Sequence, residues 1–120
     1  MTNDPNCIFC KIVRGEIPAK KIHDDDDVIA FHDIRPQAPV HLLIIPKSHV
    51  PTLYDAGPGD IPALGKMVAL AGRLAREAGA AEGFRTIINT GRVGHQEVYH
   101  VHMHVLGGPE PLGPMLQKRK

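Results

Sequence analysis

Tryptophan is absent from this 120-residue chain, and aromatic residues, three Phe and two Tyr, make up only 4% of it. A core of stacked rings is thereby excluded, so packing must rest on Ile, Leu, Val, Ala and Met. Excess charge is missing too: 14 Lys and Arg stand against 13 Asp and Glu, a formal net charge of +1. That balance excludes the strongly basic surface of a nucleic-acid binder, so no nucleic-acid partner, sequence-specific or otherwise, is expected. No apolar run approaches the ~20 residues of a membrane-spanning helix. The opening MTNDPNCIFCKIVRGEIPAKK has no basic segment leading into an apolar stretch, so neither a signal peptide nor a membrane partner is expected. The expected compartment is a reducing cytoplasm. Cysteine is scarce, with Cys7 and Cys10 forming a single CxxC. In such a compartment that pair reads as metal ligands, a redox couple or bystanders, and less readily as a structural disulfide. No segment repeats, and the length predicts one domain over residues 1–120, with 1–6 and roughly 109–120 as irregular tails.

What the chain does have is histidine, eight residues in all. Apolar residues at Ile8, Phe9, Ile12 and Val13 predict a short helix within Cys7–Arg14, stopped by Gly15. DDDD, Asp24–Asp27, reads as a solvated turn between strands. VIAFHDI (Val28–Ile34) is rich in strand formers, and VHLLIIP (Val40–Pro46) reads as a central strand buried on both faces. Asp60 is a plausible N-cap for a long helix with Pro62 in its first turn. Ile61, Leu64, Met67, Val68, Ala71, Leu74, Ala75 and Ala78 form its apolar stripe, and Gly79 ends it. Gly65, Ala69 and Gly72 make a neighbouring line of small residues that suits close packing, including with a second subunit. FRTIINT (Phe84–Thr90) predicts a strand, and EVYHVHMHVLGG predicts a long one. The tail PEPLGPMLQKRK reads as irregular and available to dock on a partner. The order of elements predicts an α+β fold, an antiparallel sheet with the long helix on one face.

In a strand, side chains alternate faces. His100, His102 and His104 would then share one face with Val98, leaving Tyr99, Val101, Met103 and Val105 toward the core. Three readings compete for the imidazole face: a polar surface that happens to be histidine-rich, a zinc site, or phosphate chemistry. In the last, one imidazole attacks phosphorus while others bind oxygens or carry protons. The preceding NTGRVGHQ favours phosphate, because Gly91 and Gly94 permit close backbone approach and Asn89, Arg92 and Gln96 add donors. Alone, that loop would be an ordinary hairpin.

HVHMHVLGG resembles the signature of the histidine triad superfamily. Together CIFCKIVRGEIPAK, VIAFHDIRPQAPVHLLIIPKSHV and NTGRVGHQEVYHVHMHVLGG resemble its Hint branch over most of Cys7–Gly108, and PLGPML is similar to the tail of bacterial members. The resemblance implies a five-stranded antiparallel sheet with one long and one short helix, paired into a homodimer. It also implies hydrolysis of purine nucleoside 5′-phosphoramidates, AMP or GMP joined to an amine, through a nucleotidyl-histidine. In that frame His102 is the nucleophile, His104 contacts phosphate oxygens and His100 orients the site. Ile8, Phe9, Ile12, His32, Asp33, Ile34 and Leu43 would form the purine-ribose pocket, with Asp33 accepting from ribose hydroxyls; plain core packing is the alternative for Phe9, Ile12 and Leu43. Asn89, Gln96 and Glu97 would lie near the phosphate or the leaving group. Two positions depart from the family: His95 stands where a small residue is usual, and Glu97 where some relatives carry a serine that assists the leaving group. Both bear on substrate preference. Related alternatives are a dinucleoside polyphosphate hydrolase, and a nucleotide-binding regulatory module whose hydrolysis is incidental.

The spacing of Cys7 and Cys10 suits two ligands of a tetrahedral zinc, and with only six residues before Cys7 a thioredoxin-like context is lacking. Bacterial relatives with this CxxC bind structural zinc through a histidine after the PK turn and the first triad histidine. Those positions here are His49 and His100. Such a zinc would leave His102 and His104 free, and the chemistry itself would need no cofactor. Two unliganded thiols are the plain alternative. A zinc enzyme with His100, His102 and His104 all on the metal is a further reading.

Overall fold

The computed structural model describes residues 3–116; the ends of both expected tails, including the basic C-terminus, lie outside them. Helix α1 (Ile8–Val13) precedes strands β1 (Lys21–Asp24), β2 (Val28–His32) and β3 (Val40–Pro46). Two single 3-10 turns lead into helix α2 (Ile61–Ala78), followed by β4 (Phe84–Ile87) and β5 (Met103–Gly107). The strands form one antiparallel sheet in the order β1-β2-β3-β5-β4. This is the expected α+β architecture, a five-stranded antiparallel sheet with one long and one short helix.

Alternation along the strands sorts the apolar side chains into two layers. Val28, Ala30, Val40, Leu42, Ile44, Val101, Met103 and Val105 pack with Met67, Ala71, Leu74 and Ala75 of α2. On the opposite face Ile29, Phe31, Leu43 and Ile45 pack with Cys7, Phe9, Cys10 and Ile12 of α1 and its cap. All of β3 is buried, as its nearly continuous apolar run predicts. The aspartate run is the β1–β2 turn, but it is pinned: Lys66 of α2 donates to Asp27 (2.6 Å) and Asp25 accepts from the N–H groups of Asp27 and Val28.

Several expectations need correction. β5 spans only Met103–Gly107, so His100 and His102 precede the strand. The ladder with β3 ends at Ile44↔Met103, two residues short of Pro46, which has no N–H to give. Val101 donates instead to Val50 O (2.7 Å). The alternation survives this break, except that Tyr99, expected inside, is 48% exposed. β4 stops at Ile87 rather than Thr90. Asp60 does hold the N-cap position of α2, but its side chain makes no capping bond to the helix; the carboxylate instead accepts from Gly57 N–H (2.9 Å) and closes the preceding 3-10 turn. Ile61 and Val68, assigned to the buried stripe of α2, are each 65% exposed. Gly79 does end α2, in the left-handed region at φ 116°. Tail residues 109–116 form no helix or strand, and Arg85 ties them to β4 through the Gly113 carbonyl (2.6 Å).

Candidate active site

Cys7 and Cys10 occupy the N-terminal turn of α1, where Cys7 is the cap and its sulfur accepts from Cys10 N–H. His49 follows β3 and His100 precedes β5, and both rings turn toward the sulfurs. His100 Nδ1 lies 3.4 Å from Cys7 Sγ, 3.6 Å from Cys10 Sγ and 3.3 Å from His49 Nδ1, and His49 Nδ1 is 3.3 Å from Cys10 Sγ. Donor atoms bonded at ~2.0–2.3 Å to one tetrahedral ion lie roughly 3.3–3.8 Å apart, so these separations fit zinc. The tautomer fits as well. His100 Nε2 donates to Pro46 O (2.8 Å), which leaves the Nδ1 lone pair for the cluster. Burial holds the His100 imidazole down to about 4, partly countered by that hydrogen bond. Burial also pushes the Cys10 thiol up, against the pull of Asp4 N–H. A cation would relieve that burden.

His102 stands just beyond. Its Nδ1 donates to the carbonyl of His100 (2.8 Å), so the proton is on Nδ1 and the lone pair on Nε2. The edge of Phe9 packs against both His102 (5.1 Å between ring centroids) and His100 (5.8 Å). His100 is itself wholly buried, so it serves the site through its carbonyl and the metal-type cluster. Among the described residues, neither grouping able to hold a metal includes His102. The reading with all three histidines on one ion therefore lacks support.

His104 sits at the start of β5 opposite Leu43, diagonal to His41 across the β3–β5 ladder. His41 Nδ1 accepts from Gln37 N–H (3.0 Å), which puts the His41 proton on Nε2, 2.9 Å from His104 Nδ1. His104, receiving at Nδ1, must carry its own proton on Nε2. Burial, then the neighbouring His102 and His41, hold His104 down to about 4 against Asp33 and Glu97, which pull it up. Burial likewise lowers His41 despite the Asp33 carboxylate 3.3 Å from its Nε2. A neutral imidazole that donates from Nε2 therefore stands beside an imidazole whose Nε2 lone pair is free. His41 was not among the residues selected from the sequence; it is the one polar side chain in VHLLIIP, and that was the signal.

His32, Asp33 and Ile34 line a groove of about 630 Å³ with Pro18, Ala19 and Lys20. The last three lie in a segment without pattern and were not anticipated. Ile34 is 91% exposed there, and Ile8 is partly exposed on α1. Phe9, Ile12 and Leu43 belong to the buried α1-side layer, so for Ile12 and Leu43 packing is the role in view. Asn89 is half-buried ahead of the glycine loop. Gln96 is buried and staples that loop: it accepts from Gly91 N–H (2.9 Å) and donates to Pro51 O (2.7 Å) and Val98 O (3.0 Å). Gly94 is obligatory, since a Cβ there would lie 2.5 Å from Thr90 O. His95 and Glu97 point outward and pair with each other (3.3 Å).

Residues 14–110 match the HIT domain. A purine nucleoside phosphoramidase from Escherichia coli (strain K12) is 54% identical over 110 residues, covering 91% of this chain and 92% of that protein. Among solved structures, a HIT family hydrolase from Clostridium thermocellum superposes with a TM-score of 0.89 at 40% identity, over 96% of this chain and 100% of that one. A Zn-bound histidine triad family protein from Mycobacterium smegmatis superposes at 0.76 with 34% identity, over 96% and 82%.

Proposed function

Since the chain belongs to the HIT domain family, we propose that it hydrolyses purine nucleoside 5′-phosphoramidates, cleaving the P–N bond of AMP- or GMP-amine conjugates. One observation carries this reading most: the His102 ring is locked with its proton on Nδ1 and its lone pair on Nε2. In the first step His102 Nε2 bonds to phosphorus, the P–N bond breaks and the amine takes up a proton as it departs. In the second, water cleaves the P–N bond to His102 and releases the nucleoside monophosphate. His104 Nε2–H, its proton placed by His41, donates to the phosphoryl oxygens as negative charge builds on them. Asp33, at the end of the groove next to His41, accepts from the ribose hydroxyls. The name of the E. coli relative supports the substrate class.

Cys7, Cys10, His49 and His100 would hold a structural zinc that ties α1 and Phe9 to the catalytic segment and supplies no chemistry to the reaction. The Zn-bound relative supports this assignment. We further propose a homodimer. Ile61, Gly65, Val68 and Ala69 form an exposed face of α2, and β4 is an open sheet edge beside it; a solution mass of one chain would dismiss the dimer. No helix among the described residues is long and apolar enough to cross a membrane, and a CxxC left unoxidised for a metal suits the reducing cytoplasm we propose.

The test is hydrolysis of an adenosine phosphoramidate and of a dinucleoside polyphosphate by wild type and by His102→Ala. The expected result is cleavage of the phosphoramidate, reduced at least about a thousandfold in the variant with AMP still bound. Preference for the polyphosphate would move the chain to the neighbouring hydrolase class. No turnover with AMP bound would leave a regulatory binding module.

A further inference from the structure

Asp4 stands just ahead of the CxxC, in the stretch that the sequence marks as an irregular tail, and its contacts lead into the sulfur-imidazole cluster. Its carbonyl accepts from Cys7 N–H (3.1 Å), and its own N–H donates to Cys10 Sγ (3.4 Å). Within the carboxylate, Oδ1 accepts from Asn6 N–H (2.8 Å), a local turn that fixes the plane of the group. Oδ2 then lies 3.9 Å from His49 Nε2. The segment is also pinned from α1, where Arg14 at the C-terminal cap donates to Asn3 Oδ1 (3.0 Å).

The orientation of His49 gives these contacts a chemical sense. Its Nδ1 faces Cys10 Sγ and His100 Nδ1, both at 3.3 Å, so an ion in the cluster would take the Nδ1 lone pair and leave the ring proton on Nε2. Nε2 is the nitrogen turned toward Asp4. A carboxylate behind a ligating imidazole fixes its tautomer and raises its basicity. His100 has the equivalent support from Pro46 O, so both histidines of the cluster are backed by an oxygen. The Asp4 N–H does the same for sulfur, because a donor to a thiolate stabilises its charge. A plain chain entry into α1 accounts for the bond from Cys7 N–H. It requires neither the bond to Cys10 Sγ nor a carboxylate on the far side of His49.

Resting on the zinc assignment, we infer that Asp4 is a positioning residue of the metal site, its carboxylate orienting His49 and its N–H stabilising the Cys10 thiolate. It touches ligands and not the ion, and it sets how tightly the ion is kept. Retention matters beyond α1, because the carbonyl of His100, one of the four ligands, also holds the His102 ring.

The test is competition for zinc between the full-length protein and a chromophoric chelator, in wild type and Asp4→Asn, together with the Tm of both metal-free proteins. Asparagine keeps an oxygen for Asn6 N–H and the backbone N–H for Cys10, so only the charge behind His49 is removed. Loss of such a partner weakens metal binding roughly 10- to 100-fold. The Asp4 side chain is 45% exposed and water screens it, so the low end applies: the zinc Kd should rise about tenfold. The two metal-free proteins should melt together, which a merely structural role for Asp4 would not allow. Equal zinc affinity in both proteins, or weaker affinity accompanied by a lower Tm of the metal-free variant, overturns the inference alone. A wild-type protein that takes up no zinc overturns the zinc assignment and this inference with it.

Discussion

Gln37 N–H fills the lone pair of His41 Nδ1, and from that one backbone contact the proton positions of His41 and His104 follow in turn. In the proposed reaction this makes His104 a donor to phosphate that does not need to be charged, in a place where burial makes charging costly. His41→Leu removes the group that fixes the His104 tautomer while keeping a side chain that fits β3. It should lower kcat/KM by up to about ten-thousandfold, as setting a catalytic imidazole in the wrong tautomer does elsewhere, with AMP affinity largely retained. Equal activity in the variant would mean that His104 finds its tautomer unaided. Phe9 offers a comparable case of a residue with two duties: it fills the α1-side layer and flanks His102 edge-on. Sequence spacing alone could not separate those duties, because an aromatic in an amphipathic helix looks the same in either.

Among the elements, α1 is the least self-sufficient. Six residues are too few to hold a helix by propensity, so its position depends on the sulfur-imidazole cluster and on Phe9, Cys10 and Ile12 in the core. Purified protein should contain about one zinc per chain, and Cys7→Ser should lose it and lower Tm by about 5 °C or more. Metal-free native protein of unchanged Tm would contradict this. The limits of sequence reading also lie at this scale. α2, β3 and the short helix were legible because periodicity, a Gly79 stop and a two-faced apolar run each speak locally. The length of β5 was not, since what ends it is Pro46 on another strand. Ile61 and Val68 fit the period of the α2 stripe, but neither joins the core that α2 makes with the sheet. Lys20 and its neighbours line the groove from a segment that carries no pattern. The CxxC with His49 and His100 was legible only by resemblance, and the geometry then gathers the four donor atoms.

Across the whole molecule, the site is a seam. The helix after the N-terminus, the central strand pair and the glycine loop each bring one piece, and all converge on the face of the sheet opposite α2. That arrangement puts two imidazoles, His100 and His104, where burial lowers them to about 4. In the unfolded chain they titrate near ~6.5. Between those values the unfolded state binds more protons than the folded one, so stability falls as pH drops from about 6.5 toward 4. Chelator-treated protein should therefore lose thermal stability steadily from pH 7 to pH 5, and His104→Gln should flatten that slope. An identical slope in the variant would show that the acid sensitivity comes from other groups.

The central claim is that His102 becomes nucleotidylated, and the most direct measurement is rapid quenching of the protein during turnover of an adenosine phosphoramidate, followed by peptide mass mapping. The account predicts an AMP adduct on the peptide carrying His100, His102 and His104, located at His102 and absent from His102→Ala. Turnover without an adduct, or an adduct on a different histidine, would contradict it.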